Sequence, residues 1–247
     1  MKKTFLFFIV TIITTFSIYS QSNTRIDSLI DLGNDYISFN DNDEAMNVFN
    51  KALKLDANYA PALDAKINLL IQTNNYKDAG KLAEKAIENN PKFATFYLHI
   101  GKCYIHKEKY EESIEYFNHG IELLDSDNKL LLNKFYVNKG AAYQKMLESD
   151  LALENYTKAI ELNPNNPNVF IYRGYLYYKN SEFDKAISDF GIVINLDSKN
   201  PYAYYNRGMS YMKLEQKDKA CRDFHKACEM GNTNACKMVI TKCLKLN

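Results

Sequence analysis

Residues 167–200 read PNVFIYRGYLYYKNSEFDKAISDFGIVINLDSKN, and residues 201–234 read PYAYYNRGMSYMKLEQKDKACRDFHKACEMGNTN. Set one beneath the other, the two 34-residue blocks share Pro167/Pro201, Arg173/Arg207, Gly174/Gly208, Tyr177/Tyr211, Ala186/Ala220, Asp189/Asp223 and Phe190/Phe224. A fixed period of this length is the mark of a repeat architecture. Working outward, the glycine recurs as Gly140, Gly101 and Gly33, with Ile67 filling the one gap, at separations of 34, 34, 39, 34 and 34. Three residues after it stand Tyr36, Leu70, Tyr104, Tyr143, Tyr177 and Tyr211. Four before it stand Leu29, Leu63, Tyr97, Tyr136, Phe170 and Tyr204. Twelve after comes a small residue, Ala45, Ala79, Ser113, Ala152, Ala186 or Ala220. Sixteen after comes an aromatic, Phe49, Phe117, Tyr156, Phe190 or Phe224, with Ala83 the exception.

These spacings describe two helices per block. Large, glycine and tyrosine positions at i, i+4 and i+7 share one face of a first helix, and small, aromatic and small positions share one face of a second. Glycine facing alanine is expected to let the two backbones approach, with the aromatics filling the volume beside that contact. All five prolines fall at block junctions, Pro61, Pro91, Pro164, Pro167 and Pro201, where they start or stop helices without breaking an interior hydrogen bond. Arg173 and Asp189, like Arg207 and Asp223, lie sixteen apart on what would be antiparallel neighbours, and are expected to pair structurally.

The pattern resembles the tetratricopeptide repeat. The resemblance covers six repeats, 26–59, 60–93, 94–132, 133–166, 167–200 and 201–234, followed by a capping helix and C-terminus at 235–247. It implies an all-α solenoid of stacked antiparallel helix pairs forming a right-handed superhelix. The second repeat lacks both its glycine and its aromatic, so its packing is expected to be the least regular. The third carries five extra residues around Asp125–Lys129, which lengthen a neighbouring helix and bend the stack, or mark a subdomain boundary.

Length and composition agree with this and exclude several classes. The chain has 247 residues, is 46% hydrophobic and 25% charged, and carries 31 basic against 30 acidic side chains, enough for a core and too balanced for wholesale nucleic-acid or anionic-membrane binding. Trp is absent while Tyr numbers 19 and Phe 14. Residues 1–20 stand apart: Lys2 and Lys3 precede an apolar run beginning at Phe5, and a polar stretch, 21–25, follows. That order matches a secretory signal peptide cut after Ser20 or Ser17; retention as an anchor is the alternative, although a run of roughly 15 residues falls short of the ~20 needed to span a bilayer. The mature protein is therefore expected to be exported, periplasmic or secreted, and not membrane-spanning.

Five cysteines in an exported chain need an account. Cys221 and Cys228 are i, i+7 on the last repeat's second helix, and Cys236 and Cys243 are i, i+7 on the cap. Each such pair is about 10 Å apart along its helix, which excludes bridges within one helix. A hairpin turning at Asn232 places Cys221 beside Cys243 and Cys228 beside Cys236, two nested disulfides; four reduced cysteines packed as small apolar groups is the other reading. Cys103 lies between His99 and His106, but no fourth ligand accompanies them, and no metal is expected.

No nucleophile–base constellation, phosphate loop, zinc-binding H-E-x-x-H or dinucleotide fingerprint is present, so no enzymatic activity, cofactor or small-molecule substrate is expected. The family resemblance instead implies a concave groove lined by first-helix residues. In the last two repeats these include Tyr172, Tyr175, Tyr178, Lys179, Tyr202, Tyr205, Asn206 and Met209. Tyrosine offers a large rigid area with a polar tip, which suits protein recognition. The expected function is a non-catalytic interaction scaffold holding a peptide segment or partner protein in the groove. The alternative is an architectural component of an envelope assembly that uses convex or end surfaces and has no groove ligand.

Overall fold

The computed structural model describes residues 23–244. The signal-peptide reading of residues 1–20 falls outside them. Contacts divide the described residues into two compact bodies that part between Leu123 and Leu124. The first contains α1 (23–38), α2 (Asn42–Leu55), α3 (Ala60–Gln72), α4 (Tyr76–Asn89), α5 (Ala94–His106) and α6 (Tyr110–Glu122). The second contains α7 (Lys129–Lys145), α8 (Ser149–Leu162), α9 (Pro167–Lys179), α10 (Phe183–Leu196), α11 (Pro201–Lys213), α12 (Lys217–Glu229) and α13 (Thr233–Met238). A single wider turn, Val239–Cys243, continues α13. In each body the helices pack as consecutive antiparallel pairs, with no strand among the described residues. None of these helices is long and apolar enough to cross a membrane.

The turn inside each pair is built the same way six times. Its hinge residue, Asn40, Asn74, Glu108, Leu147, Ser181 or Glu215, takes a left-handed conformation with φ between 58° and 65°. The next residue's N–H then donates back to the carbonyl five residues earlier, as from Asp41 to Tyr36 (2.8 Å), Lys109 to Tyr104 (3.0 Å) and Gln216 to Tyr211 (2.9 Å). This closure satisfies carbonyls that the helix end would leave orphaned. At the next junction only Gly231 provides the left-handed residue, and Asn232 N–H donates to Ala227 at 3.0 Å. The Asn232 side chain accepts from Ala235 N–H, so the cap begins at Thr233, two residues before the expected start.

Inside the pairs, the small and aromatic positions of the second helices are buried without exception, from Ala45 and Phe49 to Ala220 and Phe224. The expected contact of glycine with alanine needs correction. A Cβ placed on Gly33, Gly101, Gly140 or Gly208 would come within 3 Å of the ring of Phe49, Phe117, Tyr156 or Phe224. The glycine is therefore a seat for the aromatic ring itself, because a ring edge-on to bare backbone fills that space more completely than a methyl group does. The tyrosines three residues on, Tyr36, Tyr104, Tyr143, Tyr177 and Tyr211, are half-buried.

The second repeat keeps its core by exchanging volumes. Ile67 replaces glycine, Ala83 replaces the ring, and both are fully buried in one cluster. With a branched side chain on the first helix, α3 and α4 approach each other less closely than the pairs that follow. The extra residues of the third repeat give α7 17 residues where α3, α5, α9 and α11 each have 13. The division between the bodies falls just ahead of this insertion, at Leu123/Leu124.

Candidate interaction face

The site is built on α9 and α11. Each starts on a proline at its first helical position, and each has an asparagine cap, Asn166 or Asn200, accepting from an N–H of its first turn. Proline fixes the entry and the cap satisfies an orphan donor, so both helices begin at the same place in their repeats. Their inward face carries Arg173 and Arg207. Arg173 donates to both oxygens of Asp189 at 2.9 and 2.8 Å, and Arg207 to both oxygens of Asp223 at 2.8 and 2.9 Å. These forked pairs, expected from the sixteen-residue spacing, clamp α9 to α10 and α11 to α12. The hydrogen-bonded carboxylate beside each guanidinium holds its pKa above the ordinary value against the opposing effect of burial. Each guanidinium also lies over two rings, Phe170 and Tyr177 or Tyr204 and Tyr211, at 5.7 to 5.9 Å.

With that face committed, the residues expected to line a groove separate into two groups. Tyr172 and Tyr175 are each 43% exposed, Tyr202 is 66% exposed, and Lys179 is exposed. Tyr178, Tyr205, Asn206 and Met209 are half-buried. Tyr178 meets Phe183 edge-on at 5.7 Å, and Tyr205 leans on Phe224 at 6.0 Å. Met209 packs with Tyr205 against the Ala220–Phe224–Ala227 cluster. Asn206 spends an amide proton on the carbonyl of Tyr202, at 2.9 Å along its own helix. Burial pushes the Tyr178 phenol pKa up, and the neighbouring Tyr205 and Tyr175 add to it. Tyr175, Tyr178 and Tyr205 thus stand together, with exposure concentrated on Tyr172, Tyr175 and Tyr202.

The cap supports this face from behind. The Sγ atoms of Cys221 and Cys243 are 2.05 Å apart and those of Cys228 and Cys236 are 1.97 Å apart, both bonding distances. Cys228 and Cys243 join the cluster on which Tyr205 and Met209 rest. The His99, Cys103 and His106 set does not converge, and two of its members are more buried than their helical spacing suggests. Cys103 is buried and its thiol is pushed up to about 11 by desolvation. His99 is buried and its Nε2 lies 2.8 Å from Asp64 Oδ1, while His106 is exposed and stacks on Tyr76 at 3.9 Å. Among the described residues no group of His, Cys, Asp and Glu is placed to hold a metal ion.

Comparison with known proteins gives the same architecture. Tetratricopeptide-repeat profiles match residues 26–59, 65–127, 134–166, 155–188 and 201–234, and a TPR-repeat profile matches 174–215. A TPR repeat-containing protein of Methanocaldococcus jannaschii is 25% identical over 173 residues, 62% of this chain and 29% of that protein. A DnaJ homolog subfamily C member 3 homolog of Dictyostelium discoideum is 28% identical over 171 residues, 63% of this chain and 33% of that protein. The match thus spans about a third of each of these relatives. Among solved structures, YrrB, described as a TPR protein with an unusual peptide-binding site, superposes with a TM-score of 0.60 at 26% identity, covering 80% of this chain and 98% of that one. Helix pairing, the ring seated on each repeat glycine and matches running from residue 26 to residue 234 converge on one assignment: the chain belongs to the tetratricopeptide repeat family.

Proposed function

We propose that this chain is an exported, non-catalytic scaffold that holds a peptide segment or partner protein against the tyrosine face of α9 and α11. The observation that carries the reading is the exposure of Tyr172, Tyr175 and Tyr202 on two successive first helices whose opposite sides are fixed by Arg–Asp clamps. Rigid aromatic anchors on a fixed support lose little entropy on binding. The peptide-binding site reported for YrrB, a protein of the same repeat type, supports the reading. Export is supported by the order of charge, apolar run and polar stretch in residues 1–25 and by the two cysteine pairs at bonding distance, which an oxidising compartment preserves.

Affinity capture from the envelope and secreted fractions tests the groove. The full chain is used as bait beside a Tyr175→Glu/Tyr202→Glu variant, and both are checked for an unchanged melting temperature. Partners retained by the parent and lost by the variant are expected. An identical captured set rejects the groove and favours attachment through other surfaces. Tyr205 is the wrong residue to change, since its ring packs on Phe224.

A further inference from the structure

Four of the six repeats carry a basic residue just before the repeat glycine position: Lys66, Lys139, Arg173 and Arg207. In the fourth, fifth and sixth repeats the positions three before and four after that residue are both aromatic, and the cation stands over one or both rings. Lys139 lies 6.0 Å from the centre of Tyr136, and the two arginines lie 5.7 to 5.9 Å from theirs. The third repeat has the same ring pair, Tyr97 and Tyr104, but the intervening residue is Ile100, which is buried. Its second helix differs correspondingly. Where the fifth and sixth repeats place Asp189 and Asp223, it places Tyr116.

A hollow of about 330 Å³ opens beside these residues, lined by Tyr97, Tyr104, Tyr116, His119, Glu112 and Glu115. Tyr97 stacks on His119 at 5.1 Å, and its hydroxyl donates to the carbonyl of Pro91 at 3.0 Å, which fixes the ring. Tyr104 and Tyr116 meet at 5.1 Å with their planes tilted. Burial, then the hydrogen bond with Tyr104 and the charges of Glu84 and Glu115, push the Tyr116 phenol up to about 12, so it stays neutral.

Glu84 adds an independent observation. The equivalent residue of the first repeat, Asn50, accepts from Lys66 of the second at 2.7 Å, and that of the fourth, Thr157, accepts from Arg173 of the fifth at 3.1 Å. In the second repeat this acceptor position is a carboxylate, and Ile100 in the next repeat supplies no cation to it. Two nearby lysines have other places: Lys109 pairs with Glu112 at 2.9 Å, and Lys107 and Lys109 lie over the Tyr104 ring. Glu84 and Glu115 remain as carboxylates that Lys109 does not neutralise.

The geometry points to a binding site for an organic cation on the Tyr97–Tyr104–Tyr116 face of the third repeat, taking the guanidinium or ammonium group that the later repeats supply from within. Ring faces attract such cations through their quadrupole, and the carboxylates add charge at the rim. The cation's source is either a basic side chain of a peptide or a free alkylammonium compound.

The test is tyrosine-ring NMR of the full chain, titrated with acetyl-arginine methylamide, its neutral isostere acetyl-citrulline methylamide, and tetramethylammonium. Saturable shifts of Tyr97, Tyr104 and Tyr116 with arginine and none with citrulline are expected. Comparable affinity for tetramethylammonium identifies a compact free cation; preference for an Ala-Arg-Ala peptide identifies a side chain. Two variants borrow the residues that the second repeat carries at these places, Lys81 and Leu82. Glu115→Lys and Tyr116→Leu should each weaken binding at least tenfold. Because Glu115 is exposed, the first variant leaves the core intact. Equal shifts with arginine and citrulline, no shift with either cation, or unchanged affinity in Glu115→Lys overturns the assignment.

Discussion

The second and sixth repeats reach the same helix pair by opposite means. The sixth seats the Phe224 ring on Gly208, clamps its helices with Arg207 and Asp223, and is joined to the cap through two cysteine pairs. The second has none of these and relies on Ile67 opposite Ala83 inside one buried cluster. The pair of helices therefore requires a conserved total volume rather than a particular residue. Cross-bracing is concentrated at the end where the tyrosines are exposed.

The largest expected effect comes from removing the second repeat's substitute. Ile67→Gly deletes a fully buried side chain and adds helix-interior glycine, costing about 4 kcal/mol in urea unfolding of the full chain. If volume is what the pair conserves, Ile67→Gly/Ala83→Phe recovers much of that loss, and a double-mutant cycle measures the coupling directly. A cycle with no coupling breaks the comparison.

Replacing the outer cysteine pair, Cys221→Ser/Cys243→Ser, should cost about 3 kcal/mol, and the inner pair slightly less, because its loop is shorter: 8 residues of separation against 22. Thiol titration of the denatured protein should find one reactive group, Cys103, where five would mean that the pairs are not bonded. Native Cys103 should resist alkylation at pH 8, since burial has raised its pKa to about 11. The sign follows: the unfolded thiol, with a pKa near 8.5, ionises first. This group's contribution to stability is thus complete below that value and is lost as pH rises towards 11.

Arg207→Ala should cost about 2 kcal/mol, less than a fully buried pair, because the guanidinium side chain retains 22% of its exposure. The second repeat has no such clamp to lose. The smallest effect is a gain. Leu147 is 87% exposed and holds φ at 65°, a conformation that costs a side chain about 1 kcal/mol. Leu147→Gly should raise the melting temperature by a few degrees, with no change at the tyrosine face.

The fold was legible because each repeat states it again. Five repeat glycines, the small residues twelve later and the prolines at the junctions all point to one helical pairing, and the Arg–Asp clamps follow from equal spacing in two repeats. The turn chemistry was not legible, since among the described residues only Gly231 is a glycine of the seven in a left-handed conformation. Asn, Glu, Leu and Ser take that conformation because the backbone bond closing the turn outweighs its local cost. Nor did the residues distinguish Tyr175 from Tyr205. Both are expected on the groove side of a first helix, and only the position of Phe224 decides which ring is covered. The hollow of the third repeat was missed for a different reason. Its signal is an absent cation at Ile100, visible only when the occupied places at Arg173 and Arg207 are known to be ring-stacked.

The nesting of the two bridges around Asn232 bears on how the end of the chain acquires them. Closure between Cys228 and Cys236 spans few residues and carries the smaller entropy cost, so it is expected to precede the wider one. Once made, it ties α12 to α13 in register and leaves Cys221 and Cys243 each seven residues beyond the tie. The first oxidation thus templates the second. Crossed pairing lies about 10 Å out of register along the two helices, so the first closure is expected to favour the second.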